Sequence, residues 1–144
     1  MLKGLALIAA LMVISANAAR EAVMSAPLPI TIAFQFNNNA KQGATIELIS
    51  LKPESFWGEH LEEDVASNGG FTQGQITGVY TGTGGSFRVV YLSGEVFLVT
   101  ASFGGGANSC IVDKYDYGTG RIAMKATSKV QGRLMTCTLN SFDP

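Results

Sequence analysis

Ile30-Thr31-Ile32-Ala33-Phe34-Gln35-Phe36 is the stretch that decides the fold. Ile30, Ile32, Phe34 and Phe36 face one way, with smaller or polar residues between them. Successive side chains of an extended chain point to opposite sides, so a period of two marks a strand with one buried face. Asn37-Asn38-Asn39 follows and reads as its end, since Asn tolerates left-handed turn geometry.

The same alternation continues downstream. Residues 44–51 form a second strand, with Ile46 and Leu48 on one face and Ile49 and Leu51 on the other. Residues 75–80 make another. Residues 87–92 and 95–103 are rich in Val, Phe and Tyr and are joined by Ser93-Gly94, a spacing that suits a tight hairpin. Gly104-Gly105-Gly106 reads as a flexible loop before Cys110-Ile111-Val112, and Asp116-Tyr117-Gly118-Thr119-Gly120 as a turn. Residues 121–127 place Ile122, Met124 and Ala126 on one side. After a turn at Gln131-Gly132, residues 133–139 do the same with Met135, Cys137 and Leu139. Only residues 52–66 break the pattern, and with Pro53 near their start they read as a loop holding a short helix or helical turn. About eight short strands punctuated by glycine predict an all-β, single-domain antiparallel β-sandwich.

Upstream lies a different kind of sequence. Met1-Leu2-Lys3 gives a positive start, residues 4–14 are unbroken apolar, and Ala16-Asn17-Ala18 ends in a small-x-small cleavage pattern. That is the layout of a secretory signal peptide, and the apolar run is shorter than the roughly 20 residues needed to cross a bilayer. The expected organisation is a leader over residues 1–18, a lead-in over 19–29 containing Pro27 and Pro29, and the sandwich over 30–144. The destination is secreted or periplasmic, with no membrane span in the mature chain.

Losing Lys3 with the leader leaves nine basic against eleven acidic residues, scattered without a dense basic footprint, which argues against nucleic acid as a partner. In an oxidising compartment the default for Cys110 and Cys137 is one intramolecular disulfide, clipping the last strands to a neighbour; two buried thiols are the alternative. The inventory for catalysis is thin. His60 is the only histidine, so a zinc site has too few imidazoles, and no nucleophile elbow accompanies the serines. Glu59, Glu62, Glu63 and Asp64 read as a solvated face; they lack the alternation of a calcium loop. Gly82-Thr83-Gly84-Gly85-Ser86 lacks the ending of a phosphate loop and reads as a turn or bulge. No catalytic residue, metal site or cofactor is expected.

Binding fits the inventory better. Trp57, the only tryptophan, lies between Phe56 and His60 in the least regular segment, where an aromatic ring can anchor a lipid headgroup, a glycan or a protein. The alternative is that Trp57 folds back to cap the sandwich. Tyr115 and Tyr117 mark a second loop. Trp57, Phe56, His60 and Tyr115 are the candidate contacts. Two classes of role are open: an exported protein recognising a lipid headgroup or surface glycan, or a periplasmic or secreted protein-binding module such as an enzyme inhibitor or envelope accessory protein.

Several landmarks resemble those of known small β-sandwiches. Ile30-Thr31-Ile32, Trp57-Gly58 and the Gly82-Thr83-Gly84-Gly85 run are similar in order to the aegerolysins. The same glycine run, the Gly94-Glu95 hairpin and Cys110 resemble fungal fruit-body lectins of the actinoporin-like fold. Over residues 30–110 the resemblance implies a non-enzymatic domain that recognises membrane sphingolipid or surface glycan, with Trp57 as the residue carried over as a contact. The aromatic cluster of a membrane-docking face is absent.

Overall fold

The computed structural model describes residues 28–79 and 81–144; the expected leader and the lead-in up to Pro27 lie outside them. Ten strands follow one another: β1 (Ile30–Asn39), β2 (Ala44–Leu51), β3 (Phe56–Glu59), β4 (Asp64–Val65), β5 (Gly70–Gly78), β6 (Thr83–Tyr91), β7 (Glu95–Gly104), β8 (Ala107–Tyr117), β9 (Ala123–Gln131) and β10 (Leu134–Phe142). They form two five-stranded sheets, sheet 1 in the order β3-β5-β1-β10-β9 and sheet 2 in the order β4-β2-β6-β7-β8. The described residues contain no helix, and so none long and apolar enough to cross a membrane.

The sheets pack face to face through the residues that alternation assigns inward. Ile32, Phe34 and Phe36 of β1 and Met135, Cys137 and Leu139 of β10 meet Phe87 and Val89 of β6 and Phe97 and Val99 of β7. Phe34 lies at the centre, edge-on to Phe87 with ring centroids 5.2 Å apart. Burying each large apolar side chain stabilises by roughly 1.5–3 kcal/mol, so this double layer holds the domain together. Cys110 on β8 and Cys137 on β10 form a disulfide with Cα atoms 5.9 Å apart. It ties one sheet to the other, because the chain changes sheets between β8 and β9.

The sandwich differs from the expected one in instructive places. There are ten strands, and β1 pairs with β10 in parallel. The asparagine run does not end β1, which continues to Asn39 between its two neighbours. The expected helical turn in residues 52–66 is absent; β3 and β4 stand there and cover the edges of β5 and β2. Leu48 is 47% exposed rather than sharing the burial of Ile46, because β4 covers β2 only at Ala44 and Thr45 and a bulge follows Leu48. Residues 83–86 belong to β6 rather than to a turn, and the bulge in the β2–β6 pairing falls opposite Ser86 and Phe87. The supposed Gly104–Gly106 loop is a tight hairpin between β7 and β8, and all three glycines have positive φ (96°, 60° and 88°), a geometry that disfavours any residue with a Cβ.

Candidate functional site

β3 separates Phe56 from Trp57. Its register sets Phe56 beside Thr77 and Trp57 beside Ile76, which is fully buried, so the two rings leave the strand on opposite sides. Trp57 turns inward, half-buried against the core, with its ring 5.9 Å from Phe34 and 6.5 Å from Phe87. His60 stacks on the tryptophan at 5.9 Å, with the rings 26° from parallel, and makes no side-chain hydrogen bond among the described residues. Phe56 faces outward and is 59% exposed.

Tyr115 is elsewhere. It is the extra residue of a bulge in β8, between the pairs Phe97–Lys114 and Val96–Asp116, on a strand rather than a loop. β8 edges sheet 2 beside β9, whereas β3 lies at the other edge of sheet 1. The structure therefore brings Trp57 and His60 together, puts Phe56 on the far face of the same strand, and leaves Tyr115 apart. Beside Tyr115, Lys114 turns inward; its Nζ donates to the Ile122 carbonyl at 3.0 Å and lies 5.2 Å from the Tyr117 ring centroid.

The outer face of sheet 1 collects residues that no single segment of sequence sets side by side. Across β5, β1, β10 and β9 run three transverse rows: Gln75–Ala33–Thr136–Lys129, Gln73–Gln35–Thr138–Thr127 and Phe71–Asn37–Asn140–Lys125. A fourth row, Phe56–Thr77–Thr31–Leu134, brings in β3. No bulge interrupts the β5–β1, β1–β10 or β10–β9 pairs, so the rows stay in register. Asn37 donates to the Asn140 Oδ1 at 3.0 Å, and Thr31 and Thr77 share a hydrogen bond at 3.2 Å. Gln35, Gln73 and Gln75 make no side-chain hydrogen bond among the described residues. Ala33 carries a methyl where Gln35 and Gln75 beside it carry amides, and over it opens a cleft of about 200 Å³ walled by Gln35, Gln75, Thr136, Leu134 and Glu59.

Such a surface suits polyhydroxyl chemistry. A carboxamide offers donors and acceptors a few ångströms apart, matching adjacent hydroxyls, and an exposed ring at the margin offers an apolar face. Larger recesses open at the ends of the sandwich, one beside Phe103 and Gly105 and one beside Lys41 and Arg121; neither carries a comparable array of amides.

Two buried polar groups are held by the protein itself. Glu95 is fully buried. Burial alone would raise its pKa. The hydroxyls of Ser93 and Thr119 and the backbone N–H of Arg121 donate to the carboxylate and hold it down at about 2 against the usual 4.5. It pins the β6–β7 turn to the segment between β8 and β9. Tyr91 is pushed up to about 12, chiefly by burial, and its hydroxyl donates to Asn38.

Two crystal structures of a lectin from the fungus Xerocomus chrysenteron share this fold. The wild-type lectin superposes with a TM-score of 0.53 at 12% identity, covering 79% of this chain and 99% of its own. A methionine-substituted form gives 0.53 and 12%, covering 80% and 99%. They bear on the lectin side of the resemblance, not on aegerolysins. No protein-family model matches the chain, and no curated protein sequence does. At so low an identity the likeness establishes a shared fold: this chain is an all-β sandwich similar in architecture to a fungal fruit-body lectin.

Proposed function

We propose that the protein is an exported, non-enzymatic carbohydrate-binding protein that holds a glycan on the outer face of sheet 1. One observation carries this reading. Strand register gathers Gln73, Gln35, Gln75, Asn37 and Asn140 into an in-register field of carboxamides, with the exposed rings of Phe71 and Phe56 on its margins. The fold shared with a lectin is compatible with it. Phe56, among the candidates drawn from sequence, lies on this face and can stack on a sugar. Trp57 and His60 support the strand that carries it, and Tyr115 takes no part.

Binding to a glycan array, followed by calorimetry on the best ligands, tests the reading. The double substitution Gln35→Ala and Gln73→Ala should weaken affinity at least tenfold, about 1.4 kcal/mol. Both side chains point away from the core, so the thermal midpoint should barely move. Glycan binding that survives these changes at full strength would place the site elsewhere.

A further inference from the structure

We infer that the glycan taken by this face is acidic, an oligosaccharide with carboxylates recurring along its chain, anchored by Lys125 and Lys129 of β9. The inference rests on the carbohydrate-binding reading above and adds the charge of the ligand and the direction in which it lies.

β9 borders the amide field, and its pairing with β10 sets Lys125 beside Asn140 and Lys129 beside Thr136. Both lysines thus leave the strand on the same outward side as the amides. The Lys125 ammonium lies 5.6 Å from the centroid of the Phe142 ring, which holds it over the face. Among the described residues neither lysine has a carboxylate partner; the ion pair there joins Arg88 to Glu47 on sheet 2. The outward positions of β5, β1 and β10 between Thr31 and Asn140 carry no charge. Glu59 closes the row that Lys129 opens, four strands away, or about 19 Å at 4.8 Å per strand. Across the rows the face thus passes from cations on β9 through neutral amides to an anion on β3, so a chain of recurring carboxylates is held running along β9, where it meets both lysines, with its hydroxyls reaching over the amides. The protein as a whole carries a formal charge of −1, so the positive border is local to β9.

Spacing sets the kind of acid. Four residues of extended strand separate the two lysines by about 13 Å. A single carboxylate cannot serve both, whereas acidic groups recurring along an oligosaccharide can. Lysines on an edge strand also discourage strand addition. That role alone predicts aggregation when they are neutralised, and no effect on which sugar is held. β8, the edge strand beside it, turns its lysine inward and presents Asp113 and Asp116 instead, so edge protection here does not by itself call for cations.

The test uses the purified protein against oligogalacturonate, oligomannuronate and hyaluronan fragments, each paired with its carboxyl-reduced form and with a sulfated glycan of similar length. At least one carboxylated oligomer should bind about tenfold more tightly than its reduced form, with an advantage that shrinks as salt is added. The double variant Lys125→Gln and Lys129→Gln should remove that advantage, read as the ratio of the affinities for the carboxylated and reduced forms; a ratio that stays at its wild-type value overturns the role of the lysines. A single uronic acid should show little of the advantage. Equal or tighter binding of the reduced forms, or tighter binding of the sulfated glycans, overturns the inference but leaves the carbohydrate reading standing. Absence of binding to every acidic and neutral glycan overturns both.

Discussion

Asn37 and Asn38 are neighbours in the chain, yet their carboxamides serve opposite purposes. The Asn38 amide is sealed inside the sandwich and fully matched. Its Nδ2 donates to the carbonyls of Gln42 at 2.8 Å and Ala66 at 3.0 Å, and its Oδ1 accepts from Ser141 at 2.8 Å and Tyr91 at 3.0 Å. Asn37, one residue earlier, points outward and makes a single bond to Asn140. A polar group sealed from water must be satisfied by the protein, whereas a half-matched group at the surface bonds to water that a ligand hydroxyl can replace. Interior polarity thus fixes the architecture. Surface polarity, on the proposed reading, decides what the architecture holds.

The contrast is broken most forcefully at Asn38. Asn38→Ala strands the Tyr91 and Ser141 hydroxyls and two carbonyls, and should cost about 3 kcal/mol or more by urea denaturation. A loss below about 1 kcal/mol would mean that water replaces the amide there, and the distinction between the two sites would collapse. Glu95 extends the interior side to pH. Its carboxyl titrates near 2 when folded and at the ordinary 4.5 when free, so it stabilises in full above pH 4.5 and loses that contribution as pH falls toward 2. Glu95→Gln should flatten that part of the stability-versus-pH curve. An unaltered curve would trace acid sensitivity to other groups.

Trp57 and Phe56 offer the same contrast between adjacent rings. Trp57→Ala should cost about 2 kcal/mol, less than for a fully buried ring, because only part of the indole packs on Phe34 and Phe87. Phe56→Ala should leave the thermal midpoint nearly unchanged and weaken glycan binding several-fold. If Trp57→Ala instead spared stability and abolished binding, the tryptophan would be the contact that the sequence suggests.

These pairs also mark what the sequence could show. Alternation through residues 30–36 assigns each side chain of β1 to a face, and the structure keeps that assignment for Ile30, Ile32, Phe34 and Phe36. It carries no information about register. Asn37 and Asn140 lie 103 positions apart on parallel strands, and no local spacing reveals that they touch. The asparagine run looks like a terminator because isolated asparagines favour turns; β5 and β10, pairing on both sides, carry the strand through it. Phe56 and Trp57 were visible as an aromatic pair in an irregular segment. Which of them faces outward depends on the short pairing of β3 with β5, in a stretch where propensity points to a helical turn. The candidate face is thus legible residue by residue and illegible as a surface.

A small stability effect is also expected at Asn37 itself. Asn37→Ala removes one partly buried side-chain hydrogen bond, whose net worth is about 0.5–1.5 kcal/mol, and the change should sit toward the lower end because both partners can still reach solvent. Binding should respond more strongly, since the row Phe71–Asn37–Asn140–Lys125 loses its central amide and releases the Asn140 side chain from its fixed orientation. A double-mutant cycle with Asn140→Ala separates the two contributions: if the pair acts as one preoriented unit, the second substitution adds little to the first. Fully additive losses would mean that each amide meets the ligand independently. A stability loss at Asn37 as large as that at Asn38 would show instead that the outer rows are part of what holds the sandwich together.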